Sequence, residues 1–364
     1  MIYGSKVIHG SKVIREAGVK RDRISALGIR SFLRIPGFEA AVWAVFWQSG
    51  AVNNRKQLKC GRKTYKMGCK LKSIKSRIRS FGTIMRKRIV IIGGGASGLT
   101  AAIGGARNGA HVTIVEHMDR VGKKILSTGN GRCNLTNLAM SPEYYRGGNP
   151  DTVEKVLHTF GTEDTVRFFR KLGIITKARG TYLYPKNDQA SSVREALALG
   201  IARLQVETYL QTKVEKVSFS KGKFDIYIKK NGKEQRLEAD RLILAAGGKA
   251  SPGLGSDGSG YQLAKNLGHT ITPVFPALVQ LTSDDPAFRK LAGVRSDAKI
   301  VLMSDETAVC ADQGEIQFTD YGLSGIPVFQ VSRFAAEGLR EGKPVSVILD
   351  FLPEMQKTEI CALF

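Results

Sequence analysis

The chain changes hydrophobic rhythm twice between residues 88 and 115. Residues 88–92 form a short apolar run of the kind a buried strand needs, and residues 99–108 carry apolar side chains at helical spacing and stop at Gly109. Residues 111–115 return to a strand-like run. Strand, helix and strand within about 30 residues predict a β-α-β unit and an α/β fold. Further on, Val153, Val156, Leu157 and Phe160, then Val166, Phe168, Phe169 and Leu172, recur at helical spacing and predict helix over 151–173. Residues 177–192 read as a loop and 192–205 as another helix. Residues 213–219 and 223–230 alternate polar and apolar around Ser220-Lys221-Gly222, a hairpin pattern, and Asn231-Gly232 turns the chain into 234–238. A second buried strand, 241–246, ends at Gly247-Gly248. The glycine-rich stretch 251–260 leads into a helix over 261–267, closed by Gly268. From 271 to 350 the pattern is β-rich, with strands at 299–303, 315–318 and 344–351 and one helix near 328–337.

The turn between the first strand and helix reads Gly93-Gly94-Gly95-Ala96-Ser97-Gly98. Gly93 permits a tight turn, Gly95 lets the backbone approach a pyrophosphate, and Gly98 lets helix and strand pack closely. The free N–H groups at the helix start face the phosphates. Glu116 lies 18 residues past Gly98, close to the roughly 20-residue offset of a carboxylate that holds ribose hydroxyls. The loop that follows, 122–137, combines glycines with Lys123, Lys124, Asn130, Arg132, Asn134, Thr136 and Asn137. That density of hydrogen-bonding groups suits a polyanion or an acceptor-rich ring.

Charge changes the picture in one place. The net charge is +24, which on its own suggests nucleic acid or an anionic surface. Residues 1–84 hold 19 Lys and Arg against Glu16, Asp22 and Glu39, so most of the excess sits in the first quarter of the chain. That quarter also repeats Gly-Ser-Lys-Val-Ile at 4–8 and 10–14, and its apolar run at 40–47 is far short of the roughly 20 residues a bilayer span needs. Met85 directly precedes the first strand. We expect 1–84 to be a disordered basic extension or a mis-set reading frame, with an RNA-binding arm as the alternative. Cys60, Cys69, Cys133, Cys310 and Cys361 are odd in number and lack C-x-x-C spacing, so neither a disulfide framework nor a metal site is expected. A reducing, cytoplasmic compartment is the expected setting.

The glycine turn, Glu116 and the block Thr128-Gly129-Asn130-Gly131-Arg132-Cys133-Asn134-Leu135-Thr136-Asn137 resemble the YhiN-type, BaiN-like flavoproteins, also labelled the aminoacetone-oxidase family. Leu242–Gly248, Ser256–Tyr261, Pro276–Val279 and Gly314–Gly325 are similar to later blocks of that family, so the resemblance runs from about residue 85 to the end. It implies FAD in a glutathione-reductase-like Rossmann domain, 85–270, with an inserted β-rich domain, 271–364. By the same resemblance Gly93, Gly95, Ala96, Ser97 and Gly98 hold the pyrophosphate and Glu116 the adenosine ribose. Lys123, Lys124, Gly131, Arg132, Cys133 and Asn134 run along the cofactor. The backbone of Val214 takes the adenine, and Ala246, Gly247 and Gly248 approach from the second strand end. The family returns to the Rossmann domain after the last β-rich strand, so the chain is expected to be C-terminally truncated.

The implied activity is FAD-dependent oxidoreduction of a small or steroid-like carbonyl or enone, with NAD(P)H as donor and no membrane partner. The alternatives are a flavoprotein acting on tRNA and a non-catalytic remnant. In flavoenzymes the ring carries the redox step and the protein positions it, so no acid–base residue is assigned. Cys133, Tyr182, Tyr184 and Lys186 lie in loops that such a ring could face.

Overall fold

The structure, a computed structural model, describes residues 6–9, 86–145 and 150–363. The expectations for the first 84 residues lie outside the described residues, apart from the strand β1 (Lys6–His9). The chain divides into two units, one of residues 27–272 and one that joins 1–26 to 273–364.

In the first unit β2 (Arg88–Ile92), α1 (Ala96–Arg107) and β3 (His111–Val115) form the predicted β-α-β element. Asn108 caps α1, and Gly109, at φ +84°, turns the chain away from it. After β4 (Thr136–Asn137) come α2 (Pro150–Thr159) and α3 (Thr162–Lys171), then β5 (Thr176–Arg179), β6 (Tyr182–Pro185), α4 (Ala190–Arg203) and β7 (Glu207–Tyr209). A meander of β8 (Thr212–Ser220), β9 (Lys223–Lys230) and β10 (Lys233–Ala239) leads to β11 (Arg241–Leu244) and α5 (Ser259–Asn266). Strands β11, β2, β3 and β7 lie side by side in that order, parallel throughout. Such a sheet is buried on both faces, which explains its near-continuous apolar strands. Ile91, Ile114 and Ile243 pack on one face against Leu99 and Ile103 of α1 and Leu197 of α4. Val90, Ile92, Val115 and Leu242 pack on the other against Val217, Phe224, Ile226 and Ile228 of the meander.

Two expectations are corrected. The helical run 151–173 is two helices, because the chain breaks at Gly161, whose N–H donates to Asp164 Oδ2 at 3.2 Å as the second helix starts. Residues 177–192 are not a loop. They contain the hairpin β5–β6, turned at Gly180 with φ +57°, and β4 adds to it as a third strand. Its alternation is weak in sequence because only Leu183 and Pro185 of β6 are buried.

The second unit holds β12 (Leu281–Thr282), α6 (Ala287–Leu291), β13 (Arg295–Ser304), β14 (Thr307–Thr319), β15 (Gly322–Ser324), α7 (Ile326–Arg340), β16 (Val345–Asp350) and α8 (Lys357–Leu363). Its antiparallel sheet runs β1-β16-β13-β14-β15-β12. Ile300, Leu302, Ile316 and Val347 bury themselves against Val328, Val331 and Ala335 of α7.

Candidate functional site

A cleft of about 440 Å³ opens where β2, β3 and β11 end, and Ile92, Val115 and Ala245 form its inner edge. Crevices beyond the carboxyl ends of parallel strands are where such sheets bind ligands. Three glycines of the first turn have three different surroundings. Gly93 sits at φ +103°, and a Cβ there would lie 2.3 Å from the Ala245 carbonyl oxygen. A Cβ on Gly98 would lie 1.9 Å from the Gly93 carbonyl oxygen, so that glycine closes helix onto strand. Gly95 has an ordinary backbone, φ −74°, and a Cβ there would meet nothing within 4 Å. No neighbouring atom requires its missing side chain, and the residue lines the cleft. The first turn of α1 contains no acidic residue and no side-chain cap. Helical bonding begins with Leu99 N–H to Gly95 O at 2.9 Å, so the helix start presents N–H groups and the positive dipole end to whatever occupies the cleft.

Glu116 is 7% exposed. Its Oε2 accepts the Gly94 N–H at 2.7 Å and its Oε1 accepts the Met118 N–H at 2.8 Å. An ionised carboxylate has about four acceptor positions, so these two bonds fix its orientation and leave capacity for hydroxyl donors. The next strand is tied to the same place, with Thr212 N–H donating to Glu116 O at 3.0 Å. Val214 follows on β8, and its register against β9 shifts between Val214 and Lys216. A bulge of that kind re-aims the strand beside a site. Lys124 Nζ donates to Ala250 O at 2.7 Å and Ser256 Oγ at 3.2 Å, which ties down the far wall. Ser256 also abuts Gly247, where a Cβ would lie 2.7 Å from its Oγ. Lys123 Nζ reaches Asp119 Oδ1 at 3.5 Å. The Arg120 hydrogen bond beside Asp119 holds that carboxyl below the usual carboxylate range. Burial pushes the Tyr261 hydroxyl upward.

Of the residues singled out in sequence, Gly93, Gly95, Ala96, Ser97, Glu116, Lys123, Lys124, Val214, Ala246, Gly247 and Gly248 line this one cleft. Gly98 lies behind its wall. Gly131, Arg132, Cys133 and Asn134 do not line it, and from residues 128–134 only Thr128 does. Cys133 is buried in the core, and burial raises its thiol pKa. Sequence reasoning did not name Gly94, Thr128, Ser256 or Asp257 as site residues, although the glycine-rich run 251–260 was a signal for the last two. Asp257 Oδ1 accepts the Ser259 N–H at 2.9 Å and so holds the start of α5 in the wall. Among the described residues no group of His, Cys, Asp or Glu could hold a metal ion, and no helix is long and apolar enough to cross a membrane.

The HI0933-like protein Rossmann domain family matches residues 87–337. The chain belongs to that family. As a member of the HI0933-like family it is an oxidoreductase of the FAD-binding Rossmann class. The pyridine nucleotide-disulphide oxidoreductase family also matches residues 28–135. A 3-dehydro-bile acid delta(4,6)-reductase of Clostridium scindens is 52% identical over 279 residues, which is 76% of this chain and 67% of the relative. A ribosomal RNA dihydrouridine synthase of Haemophilus influenzae is 28% identical over 249 residues, 67% of this chain and 61% of that one. The chain thus spans about two thirds of the length of these relatives. Among solved structures, an open-conformation flavocytochrome c3 fumarate reductase aligns with a TM-score of 0.40 at 15% identity, over 65% of this chain and 51% of that chain.

Proposed function

We propose that this chain binds FAD in the Rossmann cleft and reduces a carbon–carbon double bond conjugated to a carbonyl, in a steroid-like substrate, with NAD(P)H as electron donor. The observation that carries the substrate class is the 52% identity to the bile-acid reductase over 279 residues. In this reading the amino end of α1 and Gly95 take the pyrophosphate, Glu116 the adenosine ribose, and the Val214 backbone the adenine. Ala246, Gly247 and Gly248 close the opposite side with Lys123 and Lys124, and Thr128 is where the 128–134 loop meets the cleft. Reduced flavin supplies the hydride for such a reaction, and the chain's own residues supply its position and the exclusion of water.

The weaker relatives point to the same bond chemistry. The uracil ring also carries a double bond conjugated to a carbonyl, and its reduction gives dihydrouridine. A nucleic-acid substrate is therefore the second reading, supported by 28% identity. The test is to supply FAD with NADH or NADPH and follow a 3-keto-4-ene steroid and an unmodified ribosomal RNA side by side. Consumption of the steroid enone is expected. Reduction of the RNA uridines alone would replace the steroid reading with the second one.

A further inference from the structure

A second cavity lies on the other side of the loop that forms one wall of the cleft. Its volume is about 440 Å³, within the range of small-molecule pockets. Val153, Val156, Leu157 and Phe160 line one side, at the i, i+3, i+4 and i+7 spacing that puts them on one helical face. Leu135, Met140 and Tyr145 line the other. This stripe of α2 therefore faces open space over part of its surface. Thr136, 8% exposed, lines the same cavity, and its Oγ1 is buried with no hydrogen-bond partner among the described residues. A buried hydroxyl left unpaired costs free energy unless something completes it. The other hydroxyls here are already bonded, Thr165 Oγ1 to Gly161 O at 3.0 Å and the Tyr145 hydroxyl to Met140 Sδ at 2.9 Å.

The cavity and the cleft share one short loop. Thr128 lines the cleft and Asn134 lines the cavity, and the Cys133 N–H donates to Thr128 O at 3.0 Å, which closes the loop on itself. The described residues that line the cavity are all uncharged, a lining that suits a neutral ligand better than a phosphate-bearing one. A neutral, largely apolar molecule with a polar end fits these walls and the unpaired Thr136 hydroxyl.

We propose that this cavity is the substrate pocket, in which Val153, Val156, Leu157 and Phe160 hold the apolar ring system of a steroid-like ketone and Thr136 hydrogen-bonds its oxygen. The inference rests on the enone-reductase reading for the identity of the ligand. It assigns that ligand to the α2 side of the 128–134 loop, with the reacting end toward the cleft.

The experiment measures binding by equilibrium dialysis of labelled progesterone to the FAD-loaded chain, together with enone reduction. Val156→Trp fills the cavity and is expected to reduce progesterone binding at least tenfold while flavin content stays unchanged. Thr136→Val keeps the side-chain shape and removes the unpaired hydroxyl. It is expected to leave the thermal midpoint equal or higher and to weaken progesterone about 2- to 10-fold, the range for one hydrogen bond. Progesterone binding or enone reduction unchanged by Val156→Trp would overturn the pocket and leave the enone reading standing. Binding that Val156→Trp abolishes, in a chain that reduces no enone, would keep the pocket and overturn the reading. Absence of progesterone binding to the unaltered chain would overturn the pocket outright.

Discussion

Gly95 and Gly98 are three residues apart, and the same substitution should act on them in opposite ways. At Gly95 the backbone, φ −74° and ψ −171°, suits any L-residue, and a Cβ meets nothing within 4 Å. Alanine there narrows the unfolded ensemble and should stabilise the ligand-free chain by about 0.4–1 kcal/mol. For a unit of this size that is a rise of about 1–4 °C in Tm. The new methyl nevertheless projects into the space where a pyrophosphate must approach the start of α1. Losing one charge-assisted hydrogen bond at about 1.5 kcal/mol weakens FAD about tenfold, and losing two weakens it more than a hundredfold. Gly98→Ala puts a carbon 1.9 Å from the Gly93 carbonyl oxygen, an overlap that only separation of helix and strand relieves. It should cost about 3 kcal/mol or more and lower Tm by at least about 6 °C. The assay is thermal unfolding of each variant without ligand, then FAD titration by flavin fluorescence. Gly95→Ala that binds FAD as tightly as the unaltered chain would refute the assignment of this turn to the pyrophosphate.

Three other outcomes are expected. Glu116→Gln replaces one acceptor with an NH2 that must face the Gly94 or Met118 N–H, so the ligand-free chain should lose about 1–3 kcal/mol in a denaturant titration and FAD affinity should fall with it. Lys124→Met removes the bonds to Ala250 O and Ser256 Oγ, and hydrogen exchange across 249–258 should speed up while exchange in β2 and β3 stays unchanged. Burial raises the Cys133 thiol pKa, so the folded chain retains a proton that the unfolded chain releases first. That contribution to stability is whole below the unfolded thiol's pKa of about 8.5 and is lost as pH rises through the folded value. The difference in stability between the unaltered chain and Cys133→Ala should therefore shrink between pH 7 and pH 10, and a difference that widens would contradict the buried thiol.

What could be read in the sequence was what neighbouring residues decide among themselves. The β-α-β unit was legible because a short apolar run, a glycine turn and a helical run impose their geometry over about 30 residues. Gly93 at positive φ against Ala245 and Gly98 against the Gly93 carbonyl have the surroundings that a tight turn and close helix–strand packing require, while Gly95 faces open space. The hairpin β5–β6 was not legible, because only Leu183 and Pro185 of β6 are buried and none of β5 is, so the alternation that marks a strand is faint. The break at Gly161 was hidden for a related reason. Apolar residues at helical spacing continue across it, while the turn depends on one Asp164 hydrogen bond.

The loop 128–134 shows where reading by composition stops. Its glycines, Arg132 and Asn134 marked it as a ligand loop, but donor density carries no direction. In the folded chain Gly129, at φ +55°, lets the loop close tightly, since a Cβ there would lie 3.0 Å from Asn134 N. The Cys133–Thr128 bond completes the closure and draws the Cys133 side chain into the core. Thr128 is left at the cleft and Asn134 at the apolar cavity. Neither space is written in the loop itself: the cleft needs β3 and β8 to converge on Glu116, and the cavity needs the apolar stripe of α2 laid across residues 135–140. The loop's sequence specifies the hinge between the two spaces, and tertiary packing decides what each side faces.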